Sequence, residues 1–223
     1  MSFSGAFDKF LKSYIEKFKY KSITTDDFKN YLYEFFKNRK EELDAVDWNA
    51  WLYTPGMPPV IPEYDQSLLK ESEELVKKWL DWEITDDCLF GTTPFSIKDI
   101  ESFSSNQKCC FLAKLLENNE LSLVKIKYIH QVYQMEDVQN SEIKFRWLRI
   151  CIKAKWKEQI PNALQFVNEQ GRMKFVRPIY RDLYAWEEAR PLAISNFQEN
   201  RKCMMFVSAN QVEKDLHLNE IAE

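Results

Sequence analysis

Apolar residues recur every three or four positions along nearly the whole chain, and this spacing restricts the fold more than any other feature of the sequence. Side chains spaced in this way share one face of an α-helix, so each run predicts a helix with a buried stripe. The clearest runs cover residues 7–18, 28–36, 68–80, 111–116, 121–135 and 145–152. Only four of the 223 residues are glycine, which is few for a sheet with many tight turns. The sequence therefore predicts an all-α protein.

Local signals place the ends of several helices. Thr25 is a predicted N-cap, followed by two aspartates that suit the positive end of the helix dipole. Asp65 is predicted to cap the next long helix, and Ser104 with Gln107 has the spacing of a capping box. Three prolines are predicted to lie in first helical turns: Pro161, Pro178 and Pro191. Segments 48–59 and 83–96, which contain proline and glycine, are predicted to be connections.

These boundaries predict nine or ten helices joined by short connections. Successive antiparallel pairs would form a two-layer helical stack, a solenoid of HEAT or armadillo type with a right-handed superhelical path. The sequence contains no strict repeat, so the helix content is indicated more directly than the solenoid.

Charge and cysteine content restrict the partners and the compartment. The formal net charge is −4, and the cations are scattered rather than clustered, so we expect no nucleic-acid partner. No apolar run reaches membrane-spanning length, so we expect no membrane partner. Five irregularly spaced cysteines suit a reducing, cytoplasmic compartment better than a disulfide framework: Cys88, Cys109, Cys110, Cys151 and Cys203.

The sequence offers little for catalysis by this chain alone. A zinc site usually needs three protein ligands, often from a His-Glu-x-x-His helix, whereas the chain has only His130 and His217, far apart. Cys109 or Cys151 with His130 could form a nucleophilic pair, but core packing is the simpler interpretation of these cysteines. We therefore predict no metal site and no catalytic residue in this chain.

One cationic segment is different. Arg172, Lys174 and Arg177 lie within six residues between two predicted helices. If the segment is extended, Arg172 and Lys174 point to the same side, where a guanidinium could hold a carboxylate through two hydrogen bonds. The alternative is a helix C-terminus decorated with cations, which the helix dipole also favours.

Four stretches resemble one family: 20–27 (YKSITTDD), 46–53 (VDWNAWLY), 140–149 (NSEIKFRWLR) and 169–175 (EQGRMKF). They are similar to the C-terminal helical domain of the leukotriene-A-4 hydrolase and aminopeptidase B family of zinc metallopeptidases. The similarity covers about residues 6–218, which implies a single domain of this type over 1–223. Met204 to Val207 depart from the family pattern, which has His-Pro before the valine.

The resemblance also implies a function. Arg172 would bind the carboxylate of a peptide or lipid substrate and Lys174 would assist. Zinc and the catalytic groups would belong to a separate catalytic domain on which this chain packs, so we expect no cofactor here and no catalysis by the chain alone. The alternative is a free-standing, non-catalytic helical module that binds a protein or peptide. Either partner would make Trp48, Trp51 and Tyr53 a possible interface.

Overall fold

A computed structural model describes residues 3–84, 93–118 and 121–218, and these residues form thirteen α-helices without a β-strand. The chain divides into two compact units, Met1–Tyr64 and Asp65–Glu223. The first contains α1 (Phe3–Phe18), α2 (Thr25–Phe35), α3 (Lys40–Asp44) and α4 (Trp48–Leu52). The second contains α5 (Ser67–Asp81), α6 (Lys98–Glu101), α7 (Ser105–Glu117), α8 (Leu123–Val132), α9 (Ser141–Lys153), α10 (Ile160–Glu169), α11 (Met173–Ala185), α12 (Arg190–Asn200) and α13 (Phe206–Asp215).

The predicted all-α class is confirmed. Ten of the helices have ten or more residues, and the three short ones, α3, α4 and α6, are those that periodicity does not predict. None of the helices in the described ranges is both long and apolar enough to span a bilayer. A single domain over 1–223 stays a prediction.

The first unit has a small core around the fully buried ring of Phe10 in α1. That ring contacts Phe28, Tyr31 and Phe36 at centroid distances of 5.6–6.0 Å. The predicted N-cap at Thr25 is wrong by one residue, because the reciprocal hydrogen bonds of the capping box join Thr24 to Asp27.

The predicted connection at 48–59 is also partly wrong. Asp47 Oδ1 accepts a hydrogen bond from the Ala50 amide at 3.0 Å, and this cap allows the turn of α4 to form before the prolines. Beyond Leu52 the chain has no regular secondary structure until α5. The predicted cap at Asp65 is wrong by one residue, because Gln66 occupies the N-cap position, although Asp65 accepts a hydrogen bond from the amide of Ser67, the first residue of α5.

The long helices of the second unit pack as alternate neighbours. Helices α5, α7, α9, α11 and α13 each contact the next in this series, and α10 contacts α9, α11 and α12. Contact between every second helix is the pattern expected of a two-layer stack. The right-handed superhelical path and the likeness to HEAT or armadillo repeats stay predictions.

Helix α9 joins the two apolar clusters of this unit. Phe145, Leu148 and Ile152 pack into the cluster shared with α10 to α13. Ile143, Trp147 and Cys151 pack into the cluster shared with α5, α7 and α8. Each large apolar side chain removed from water stabilises the fold by about 1.5–3 kcal/mol before entropy is counted. Because α9 is buried on two faces, its side chains hold the helices of both clusters in place on either side of it.

Apart from the cap at Asp65, the end signals of this unit hold with one exception. Ser104 and Gln107 form the predicted capping box, and Pro161 and Pro191 lie in the first turns of α10 and α12. Pro178, predicted to start a helix, instead lies inside α11. The prediction is wrong because the turn before it is fixed by the buried side chains of Phe175 and Val176, which outweigh the backbone hydrogen bond that proline cannot donate. Gly91 and Cys88 lie outside the described residues.

A carboxylate on α13 ties that helix to α11. Asp215 accepts hydrogen bonds from Arg177 Nε at 2.7 Å, Arg177 Nη2 at 3.0 Å and Arg181 Nε at 3.0 Å, and its side chain is only 10% exposed. Burial alone raises the pKa of Asp215, but the hydrogen bonds from the two arginines outweigh it and hold the pKa below its ordinary value.

A histidine lies between two tryptophans in the cluster of α5 to α9. The His130 ring is stacked on Trp147 at a centroid distance of 5.9 Å and meets Trp156 edge-on at 5.1 Å. Burial lowers the pKa of His130, partly offset by Glu136, whose Oε2 lies 3.9 Å from Nε2. The neutral ring is therefore the form that the fold accommodates.

We expect Asp215→Asn to destabilise the second unit by about 2 kcal/mol at pH 7, because it leaves two guanidinium groups without their carboxylate. The folded pKa of Asp215 is depressed, so its contribution is present above the unfolded value and is lost as the pH falls below about 4. Urea unfolding between pH 7 and pH 3 measures both effects. Asp137→Asn, at an exposed position, is the matched control, and an equal cost for both variants would contradict the assignment.

We expect His130 to make the protein less stable in mild acid. Its folded pKa lies below the unfolded value of about 6.5, so its neutral form stabilises the fold above that pH and the contribution is lost as the pH falls through the folded pKa. The difference in unfolding free energy between wild type and His130→Gln should therefore shrink from pH 7.5 toward pH 5. The exposed His217→Gln is the control, and a constant difference for His130→Gln would refute the prediction.

Candidate functional site

The predicted anchor segment lies at the start of α11. Arg172 occupies the N-cap position with an extended backbone, φ −81° and ψ 120°, and Lys174 is in the first helical turn. The condition under which Arg172 and Lys174 would point to the same side, an extended segment across both residues, is therefore not met. The cause is Phe175, whose burial draws the chain into a helix directly after Arg172.

The backbone around Arg172 is held from several directions. The Arg172 carbonyl accepts hydrogen bonds from the amides of Phe175 and Val176 at 2.9 and 3.2 Å. The Phe175 ring packs against Phe145 of α9 and Phe166 of α10 at centroid distances of 5.3 and 6.0 Å. A hydrogen bond from Ser208 of α13 to the Gly171 carbonyl, at 3.5 Å, adds a weaker contact. The backbone of Arg172 is thus fixed, and the guanidinium extends from it at the end of a flexible side chain.

Lys174 and Arg177 are committed to carboxylates of this chain. Lys174 Nζ lies 2.5 Å from Glu142 Oε1 of α9, and the other oxygen of Glu142 accepts from Arg146 at 2.8 Å. The hydrogen bond from Arg146, with a second from Lys174, lowers the pKa of Glu142. Arg177 pairs with Asp215.

Arg172 is the exception among the cations of this segment. Its side chain is exposed, and it makes no hydrogen bond or ion pair with any part of the chain that the structure describes. The first backbone amides of α11 lie beside it, and the helix dipole makes this end positive. A guanidinium in such surroundings is suited to a carboxylate held by two parallel hydrogen bonds.

The aromatic residues of the possible interface differ from one another. The Trp48 indole donates to the Leu43 carbonyl at 2.9 Å and to Tyr33 Oη at 3.1 Å, so it supports the first unit from within. The side chains of Trp51 and Tyr53 are exposed, by 48% and 68%. An interface that includes all three stays a prediction, and the geometry favours the latter two as its contact residues.

The described residues form no metal-binding group, and the candidate thiols are not activated. His130 lies between tryptophans on α8, whereas His217 follows α13 and contacts Tyr184. In the described ranges, no three His, Cys, Asp or Glu side chains group closely enough to hold a metal ion. Burial raises the pKa of the thiols of Cys109 and Cys151, which disfavours the reactive thiolate.

Sequence reasoning missed the anions that set the charge of the site. Glu142 of α9 lies 32 residues from its partner Lys174, and Asp215 of α13 lies 38 residues from its partner Arg177. The i, i+4 spacing of Glu142 and Arg146 was a usable signal for their pairing. Nothing local indicated that α9 would carry this pair to Lys174.

Comparison with known proteins extends these findings. The family model described as "Leukotriene A4 hydrolase, C-terminal" matches residues 103–216, which lie within the second unit. The chain is 47% identical over 210 residues to leukotriene A-4 hydrolase of Xenopus laevis, covering 94% of this chain and 34% of that protein. It is 39% identical over 220 residues to leucine aminopeptidase 2-2 of Scheffersomyces stipitis, covering 95% of this chain and 34% of that protein.

Solved structures give the same result. A yeast LTA4 hydrolase in complex with bestatin matches with a TM-score of 0.81 and 33% identity, over 94% of this chain and 35% of that one. Native leukotriene A4 hydrolase from Saccharomyces cerevisiae matches with a TM-score of 0.79 and 34% identity, over 95% and 35%. This chain thus spans about one third of the length of these relatives. It belongs to the leukotriene A4 hydrolase and leucine aminopeptidase family, and it carries the C-terminal helical domain of that family.

Proposed function

We propose that Arg172 anchors the carboxylate of a peptide or lipid substrate for a zinc centre that lies on a separate catalytic domain. The observation that carries this proposal is the unpaired guanidinium at the start of α11, beside cations that are all paired. Two charge-assisted hydrogen bonds would fix one end of the substrate and thereby fix the position of the scissile bond.

Lys174 has a supporting role in this proposal. Its ammonium and the Arg146 guanidinium flank the single carboxylate of Glu142, so the cluster retains a net positive charge. An approaching carboxylate therefore meets no uncompensated anion from α9. Lys174 assists through this charge balance and keeps its contact with Glu142, whereas Arg172 makes the direct contact.

The chain contributes binding and orientation, and we propose that it cleaves no bond alone. In the family, zinc belongs to the catalytic domain, where it would polarise the scissile carbonyl and activate water. The described residues here offer no comparable ligand set. What this chain adds is a cation on a fixed backbone, which lowers the entropic cost of orienting the substrate.

The first unit supports the proposed packing on a catalytic domain, in cis or in trans. Helix α1 is apolar on two faces: Phe10 is buried against α2, whereas Phe7, Leu11 and Ile15 form a second stripe that is 38%, 39% and 65% exposed. A helix with two apolar faces suits a position between two layers. The relatives, about three times as long as this chain, contain the additional mass that could cover this stripe.

The same stripe also favours a second candidate function, a free-standing helical module that binds a protein or peptide. Contiguous exposed apolar surface is typical of interaction sites, whichever partner covers it. The two functions differ in their dependence on Arg172. Substrate anchoring requires the guanidinium, whereas a module that binds through its apolar surface does not.

We expect Arg172→Ala to lower kcat/KM about a hundredfold for peptides with a free C-terminal carboxylate, in the chain joined to or co-expressed with a catalytic domain of the family. The loss corresponds to two charge-assisted hydrogen bonds of about 1.5 kcal/mol each. Steady-state aminopeptidase assays measure it. The same peptides with a C-terminal carboxamide should show little change.

Two controls make this test specific. Lys214→Ala removes an exposed cation of α13 and should leave both substrates unaffected. Arg172→Lys keeps the charge but loses the paired hydrogen bonds, so it should fall between wild type and the alanine variant. An unchanged kcat/KM for Arg172→Ala would eliminate the anchoring role.

We expect Ile15→Glu to abolish or greatly weaken association with a catalytic domain supplied in trans, because the substitution places a charge in the exposed stripe of α1. Lys12→Glu changes an exposed position on the same helix and should leave association intact. Analytical ultracentrifugation or calorimetry measures the affinity. Equal affinities for the two variants would show that the stripe is not the contact surface.

A further inference from the structure

A concave site lies between α6, α7 and the start of α9. The cavity has a volume of about 240 Å³ and is bounded on one side by the loop that joins α8 to α9. A single water needs about 10–15 Å³ of space measured in this way, so the cavity has room for a small organic molecule. Its walls are mainly apolar, and six of their side chains are Ile100, Phe111, Leu112, Met135, Val138 and Ile143.

The polar groups that line this cavity include one cation. Lys108 lies on the same face of α7 as Phe111 and Leu112, at spacings of three and four residues, so its methylene stem follows the apolar wall. Lys108 is half-buried, and its ammonium makes no ion pair or hydrogen bond with the described residues. A half-buried ammonium without an anion beside an apolar cavity is a charge that a ligand can complement.

The start of α9 also favours a negatively charged ligand. Asn140 lines the cavity, and its Oδ1 accepts the Glu142 amide at 2.9 Å, so its Nδ2 group is available as a donor. Ile143, in the first turn of α9, is also part of the wall, so the positive end of this thirteen-residue helix lies at the cavity.

The nearby anions are already engaged. Asp99 Oδ2 accepts from Tyr133 Oη at 3.1 Å and from the Ser96 amide at 2.9 Å. Glu142 pairs with Arg146 and Lys174. No carboxylate is among the described lining residues, and Lys108 is their one charged side chain, so the charge that lines the cavity is positive.

We propose that this cavity binds a compact apolar molecule that ends in a carboxylate. The hydrocarbon or aromatic part would occupy the apolar volume, and the carboxylate would contact the Lys108 ammonium and the Asn140 amide. The site is independent of the Arg172 anchor, so failure of either proposal leaves the other standing.

Octanoate is a suitable probe, because its chain and carboxylate comprise about ten non-hydrogen atoms. Calorimetric titration of the full chain should show saturable binding with a Kd of about 1 mM or tighter. Amide shifts in ¹H–¹⁵N spectra should concentrate at α7 and at the start of α9. Lys108→Met, which keeps the stem length and removes the charge, should weaken octanoate at least about tenfold.

The matched comparisons isolate the charge. Octan-1-ol should bind Lys108→Met as well as wild type, and octylamine should bind wild type more weakly than octanoate does. Asn140→Asp keeps an N-cap acceptor for α9 but replaces the amide donor with an anion, so it should also weaken octanoate. Lys12→Met, in the first unit, should change nothing, and thermal unfolding verifies that each variant is folded.

Several results would overturn the proposal. These are no saturable octanoate binding up to about 10 mM, shifts centred elsewhere, octylamine binding as tightly as octanoate, or an unaltered octanoate affinity in Lys108→Met. The proposed ligand class is supported only if Lys108→Met weakens the binding of octanoate and leaves the binding of octan-1-ol unchanged.

Discussion

The burial of α11 is the constraint on which the rest of the second unit depends. Its inward face carries Phe175, Val176, Ile179, Tyr180 and Leu183, each at most 6% exposed. These side chains pack into a cluster supplied by α9, α10, α12 and α13, so α11 cannot rotate or slide without opening the core. The position of Arg172 follows from this packing, because that residue precedes the first buried turn.

Three cations of α11 form ion pairs with carboxylates of neighbouring helices. Lys174 and Arg177 reach carboxylates on opposite neighbours, α9 and α13, and Arg181 shares the second of these. These ion pairs fasten the helix laterally and satisfy the cations that its outer face presents. Both carboxylates are already paired with these cations, so Arg172 has no acceptor among the described residues. The same pairing that stabilises the stack therefore leaves its terminal guanidinium accessible to a ligand.

Several features that depend on neighbours along the chain were predicted, whereas the failures at Pro178 and Lys174 arise from distant contacts. Ser104 and Gln107 are three residues apart, so their capping box could be predicted directly. Pro178 suggested a helix start by local rules, but packing of Phe175 against α9 and α10 begins α11 earlier. The choice of Arg172 as anchor came from family resemblance, since periodicity gives no reason to separate it from Lys174. Only the contact of Lys174 with Glu142, thirty-two residues away, shows the difference between them.

The two surfaces that await a partner differ in what they imply. An exposed arginine is well solvated, so its lack of an acceptor costs little free energy. The argument that Arg172 binds a ligand comes instead from the fixed backbone that carries it and from the paired cations around it. The exposed stripe of α1 is different, because Phe7, Leu11 and Ile15 lose hydrophobic stabilisation for as long as they face water. With four buried apolar residues in the described part of its core, the first unit has little stability to offset that loss. The stripe is therefore the stronger physical argument that another domain covers this chain. The guanidinium is the stronger argument for the proposed ligand, a carboxylate that would bind between that domain and this one.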